Sequence, residues 1–148
     1  MLFRSTRLIH MERITAQMLE LEELRSNSTS KFLGYFGILE SLLTHKPDPK
    51  DLYDSITRQV KNKVALLDHR WSPRLDYSAF TAVREDTIWS KMYAYRSALA
   101  HGDAADFGSE LQALGNHENA MALLKSTVKA TARLALMESQ LMVDLRNC

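Results

Sequence analysis

Apolar residues recur at three- and four-residue steps through most of the chain, and this period predicts helices. Leu8, Met11, Ile14, Met18, Leu21 and Leu24 make the stripe of a first helix over about residues 6–25. The run SNSTS, residues 26–30, is rich in N-cap residues and predicts a break and a restart there. A second helix then turns Phe32, Phe36, Leu39, Leu42 and Leu43 inward and stops before Pro47 and Pro49. With Asp51 or a neighbour as cap, Leu52, Ile56, Val60, Val64 and Leu67 form the apolar face of a third helix. Residues 71–78, WSPRLDYS, read as a loop. A fourth helix over about residues 79–100 carries Val83, Ile88, Met92, Tyr95 and Leu99 and ends at Gly102, a left-handed terminator. Past an acidic loop with Gly108 and Gly115, Asn116 caps a last helix that runs almost to the end on Met121, Leu124, Val128, Ala132, Ala135, Met142 and Leu145. Four to five such helices on short connections predict an all-α antiparallel bundle. The expected domain is single, residues 1–148, with residues 1–27 as its N-terminal helix.

Composition narrows the setting. The chain has 148 residues with 5 Gly, 3 Pro and 1 Cys. The cysteine is Cys148, so no intramolecular disulfide forms and a reducing compartment is expected. Arg4, Arg7, His10 and Arg13 interrupt the first residues before any signal-peptide core, and the most apolar stretch, residues 32–43, is too short to span a bilayer and contains Glu40. A soluble, cytoplasmic chain without membrane partners is therefore expected. The net charge of +1 excludes a polybasic coat for nucleic acid but hides an asymmetry. Arg58, Lys61, Lys63, Arg70 and Arg74 stand against Asp68 alone, whereas Asp103, Asp106, Glu110 and Glu118 have no Lys or Arg among them. Either stretch reads as solvated surface, and the basic one also as a phosphate patch.

The common chemical motifs are missing: there is no P-loop, no dinucleotide turn, no GxSxG and no HExxH. One cysteine cannot build a zinc knuckle. His101, Asp103 and Asp106 read as a hydrated turn before a metal site, so neither metal nor cofactor is expected. His117 with Glu118 reads as a helical first turn. The informative string is KMYAYRSALAHGD, residues 91–103, with Arg96 and His101 separated by four residues at a helix end. One account is structural, since a His in the last turn faces unpaired carbonyls and the negative end of the dipole. Another comes from the surrounding text. The form YRSALAHG, residues 95–102, with the helix GILESLLTH, residues 37–45, before it, resembles the HEPN superfamily and within it the Apea-like branch.

That resemblance covers about residues 31–146. It implies a helical bundle acting as a metal-independent endoribonuclease, homodimeric, with the R-x4-6-H motifs of two protomers facing each other. Arg96 and His101 become the catalytic candidates, and Ser97, where the family often carries Asn, Asp or His, becomes a supporting one. The chemistry suits them: His101 can move protons near neutral pH, and Arg96 can hold charge that grows on phosphorus. The implied products are a 2′,3′-cyclic phosphate and a 5′-hydroxyl, and the implied setting is a toxin or phage-defence effector whose antitoxin or regulatory partner the sequence does not name. The tyrosine that antitoxin-paired members carry two residues after the His is replaced by Asp103, so control through that tyrosine is not expected. Members without catalysis exist, so an RNA-binding or dimerisation module, standing alone or inside a larger protein, is the alternative reading.

Geometry adds two expectations. Residues five apart on an α-helix point about 140° apart, so either the helix loosens near residues 99–102 or Arg96 and His101 serve opposite protomers. Glu40 falls on or beside an apolar stripe, where a lone carboxylate is costly, so it either pairs with Arg96 or turns to water. For RNA beyond the motif, Arg58, Lys61, Lys63, Arg70 and Lys91 are the phosphate candidates, while Trp89, Tyr93 and Tyr95 read first as core and second as base-stacking surfaces.

Overall fold

The computed structural model describes residues 2–51, 55–80 and 83–148. Its described residues form six α-helices and no strand: α1 (Leu2–Glu22), α2 (Thr29–Leu43), α3 (Ile56–Asp68), α4 (Glu85–His101), α5 (His117–Met137) and α6 (Ser139–Arg146), with a 3₁₀ turn at Gln112–Leu114. The protein is thus an all-α bundle. Leu52, expected on the third helix, lies outside the described residues, as does the side chain of Leu8. No described helix is long and apolar enough to cross a membrane.

Helix α2 is the hub. It packs against every other helix and most extensively against α5, because it is apolar on nearly all sides: Phe32, Tyr35, Phe36, Leu39 and Leu43 are completely buried. Gly34 lets α1 come close, since a Cβ there would collide with Leu21. On α5, buried Leu124 and Val128 face the core beside Thr127 and Thr131. Those threonines donate their hydroxyls to Leu123 O at 2.8 Å and Thr127 O at 2.7 Å, so their burial leaves no polar atom unpaired.

The caps follow the sequence closely. Ser28 accepts from the Lys31 N–H, and Asn116 accepts from the Asn119 N–H. Three boundaries differ from expectation. Ser55, rather than Asp51, caps α3 by accepting from the Arg58 N–H. Helix α4 starts at Glu85, not near residue 79, where Glu85 and Asp86 complement the positive end of the dipole. The last helical run is broken at Glu138, whose φ of −131° and ψ of 61° leave the helical region and separate α5 from α6.

Buried cations tie helix ends together. Lys31 donates to Leu24 O at 3.2 Å, just beyond α1. Lys63 donates to Leu43 O at 2.9 Å and Arg146 O at 3.0 Å, the last residues of α2 and α6. Arg146 in turn donates to Thr44 O at 3.2 Å. Each positive charge meets the carbonyl end of a helix, where dipole and unpaired acceptors favour it. His117, the first residue of α5, does more than begin a helix. Its Nδ1 lies 2.7 Å from the Tyr95 hydroxyl and its Nε2 lies 2.7 Å from Ser26 O, joining α4, α5 and the α1–α2 connection.

Candidate functional site at the end of helix α4

Helix α4 stays regular to its last residue. Gly102 then takes φ 72°, and the N–H groups of Gly102 and Asp103 bond Leu99 O at 3.3 Å and Ala98 O at 2.8 Å. This closure fixes His101 at the helix terminus and leaves no loosened turn between it and Arg96. The two candidates therefore stand on different sides of one helix.

Arg96 belongs to a packed cluster. Its Nε is 3.2 Å from Glu40 Oε1 on α2, with side chains 32% and 21% exposed. Its Cζ lies 5.7 Å from the centre of the Tyr93 ring, one helical turn back. Tyr93 meets Phe36 edge to face, ring centres 5.5 Å apart, which anchors the cluster to the core. The charge pair expected for Glu40 is thus present. Glu40 Oε1 is itself buried, with Arg96 as its charge partner. Burial pushes the Glu40 carboxyl above its ordinary range, against the opposing charge of Arg96. Burial, then Glu40, raises the Tyr93 hydroxyl as well.

His101 is exposed and lines a shallow depression of about 260 Å³ with Ser97, Asp103, Asp106 and Glu110. No lysine or arginine lines it. Asp106 is itself committed, accepting from Ser109 Oγ at 2.7 Å and the Gly108 N–H at 2.8 Å, and these bonds hold its carboxyl below the usual range. Within one chain, then, Ser97 accompanies His101, while Glu40 and Tyr93 accompany Arg96. Among the described residues no cluster of three His, Cys, Asp or Glu side chains is arranged for a metal ion.

The five expected phosphate contacts are not brought together. Lys63 is 4% exposed and its ammonium is spent on carbonyls of α2 and α6, so it drops out of any basic surface. Arg70, at the other end of α3, faces Glu138 at 3.5 Å. Lys61 lines a small groove of about 190 Å³ beside Glu85 and Asp86. Arg58 is exposed and Lys91 half-buried. Of the aromatic candidates, Trp89 and Tyr95 are core, with Trp89 donating to the Tyr77 hydroxyl at 2.8 Å. Tyr93 is the residue whose role the string itself held in view, since a ring three residues before Arg96 is its neighbour on a helix.

No family model matches the chain, and neither a curated protein nor a solved structure matches it.

Proposed function

We propose that the protein is a metal-independent endoribonuclease of HEPN type that works as a homodimer, in the setting of a toxin or phage-defence effector. The observation that supports this best is the division of α4: a braced guanidinium on one side, held by Glu40, and an exposed imidazole on another. In a dimer that joins two α4 ends, the Arg96 of one chain meets the His101 of the other. The RNA 2′-hydroxyl then attacks the adjacent phosphorus while His101 accepts its proton, the bond to the 5′-oxygen breaks, and the second His101 returns a proton to that oxygen. Arg96 bears the charge that grows on the phosphoryl oxygens. Glu40 and Tyr93 hold Arg96 rather than touching RNA, and Ser97 stands near enough along the helix to orient His101.

One observation favours a second reading. Three carboxylates, Asp103, Asp106 and Glu110, surround the His101 depression, and they repel phosphate. A non-catalytic dimerisation module would tolerate that charge, as would an RNA-binding module whose RNA contacts lie elsewhere. The test is cleavage of a mixed RNA pool in EDTA by the parent protein and by a His101→Ala variant matched for helicity and oligomeric state. The ribonuclease reading expects cutting by the parent alone, at least about 100-fold above the variant, with cyclic phosphate ends. If neither protein cuts while fully dimeric, the module reading replaces it.

A further inference from the structure

A second cavity lies far from the α4 end. It is a groove of about 640 Å³ between the loop that follows α3 and the second half of α5. Its nearest α5 residue, Ser126, is nine positions beyond His117, about 14 Å along the helix, and the groove extends from there to Glu138. The volume falls within the range of small-molecule sites. Trp71, Pro73, Leu134 and Met137 give it an apolar lining, and Met137 is 72% exposed.

Three guanidinium groups, Arg70, Arg74 and Arg133, border that lining. They differ in how far they are already committed. Arg74 is fixed by a two-nitrogen contact to buried Asp68, at 3.2 and 2.9 Å, which also accepts the Leu75 N–H and so sets the loop. Arg70 meets Glu138 at 3.5 Å with both side chains about half exposed, a contact that costs little to exchange. Arg133, on the opposite wall, has no charge partner among the described residues. Asp76 and Glu138 also line the groove, so its charge is not a broad field but two adjustable cations on facing walls.

We propose that this groove binds a mononucleotide, its base against Trp71 and its phosphate between Arg70 and Arg133. A flat apolar body suits the lining, and planar guanidinium groups suit both the faces of a base and the oxygens of a phosphate. A phosphate can meet two walls at once, which a carboxylate cannot do as fully. The carboxylates of Asp76 and Glu138 interrupt the basic surface, which opposes a continuous RNA track and favours a ligand of limited length. This site is independent of the ribonuclease reading.

Calorimetric titration of the full chain at about 0.15 M salt with adenosine monophosphate, adenosine, inorganic phosphate and a short RNA tests it. The expected result is a Kd between about 10 µM and 1 mM for the mononucleotide, with adenosine and phosphate each much weaker. Arg133→Gln, at an exposed position without partners, should weaken binding about tenfold with unchanged helicity. The proposal is overturned by a mononucleotide Kd above about 10 mM, by equal binding of phosphate alone, by an Arg133→Gln protein that binds as well as the parent, or by binding confined to the RNA.

Discussion

Glu22 lies 3.1 Å from the ammonium of Lys125, and Glu40 lies 3.2 Å from the guanidinium of Arg96. By distance the two ion pairs on either side of α2 are equivalent, yet their carboxyls move in opposite directions. Glu22 accepts the hydroxyl of Tyr35 and a hydrogen bond from Lys125, and these donors hold it down at about 2. Glu40 has one partner, Arg96, and burial outweighs both the charge and the hydrogen bond that Arg96 brings. The balance between burial and the number of donors, more than proximity of opposite charge, decides which carboxylate is comfortable. The Glu22 pair fastens α1 to α2 and α5. The Glu40 pair holds its carboxylate under tension, because burial disfavours the charge that Arg96 attracts.

The largest effect should come from breaking the tense pair on its cationic side. Arg96→Met keeps much of the packing on Tyr93 and leaves the Glu40 oxygen buried with no compensating charge. About 1–3 kcal/mol of stability should be lost, and RNA cleavage, under the proposed function, should fall by at least about 100-fold. Without Arg96 the Glu40 carboxyl rises further, so the folded chain holds its proton to higher pH. The loss should therefore be larger at pH 8 than at pH 5. Chemical denaturation of both proteins at the two pH values checks this, and an equal loss at both would contradict the tense-pair account.

Much of this arrangement was legible in the chain, and the exceptions are instructive. The end of α4 is written locally, in the Gly102 terminator, and Glu40 announced its need for a cation by standing on an apolar stripe. Lys63 reads as solvated surface by its charge, but its place in the helical period puts it in the core. Val60, Lys63, Val64 and Leu67 share one helical face, and all four are buried. The start of α4 was placed too early although Glu85 and Asp86 marked it. The break at Glu138 is different: residues 136–140 contain neither Gly nor Pro, so the strongest local stop signals are missing where α5 and α6 separate. The division of Arg96 from His101 into separate surroundings follows from helical angle. That His101 would share its depression with three carboxylates depends on how residues 103–111 fold back, which no local pattern encodes.

The comfortable pair can be loosened from its tyrosine. Tyr35→Phe keeps the buried ring and removes one hydrogen bond to a charged acceptor, an expected loss of about 1.5–2 kcal/mol at pH 7. The sign of its pH dependence opposes that at Arg96. The folded pKa of Glu22 is depressed, so its contribution is present above about 4.5 and is lost as pH falls toward 2. The parent should therefore lose stability through that interval more steeply than the variant, as read from thermal unfolding at pH 5 and pH 3. Parallel curves would show that Tyr35 does not control Glu22.

The smallest effect on stability should come from neutralising the tense carboxylate itself. Glu40→Gln keeps the shape, removes a charge that burial disfavours, and leaves Arg96 one-third exposed over the Tyr93 ring. The gain and the loss oppose each other, so the net change should stay within about 1 kcal/mol. Its informative readout is the pH profile. A raised folded pKa means that the native chain binds more protons than the unfolded chain, so the parent loses the Glu40 contribution as pH rises through that value. The variant should lack this decline and gain on the parent from pH 5 to pH 8. Cleavage should fall by about tenfold at saturating RNA, because Arg96 loses its brace while keeping its charge. A variant as active as the parent would make Glu40 a merely tolerated neighbour and return the positioning of Arg96 to Tyr93 alone.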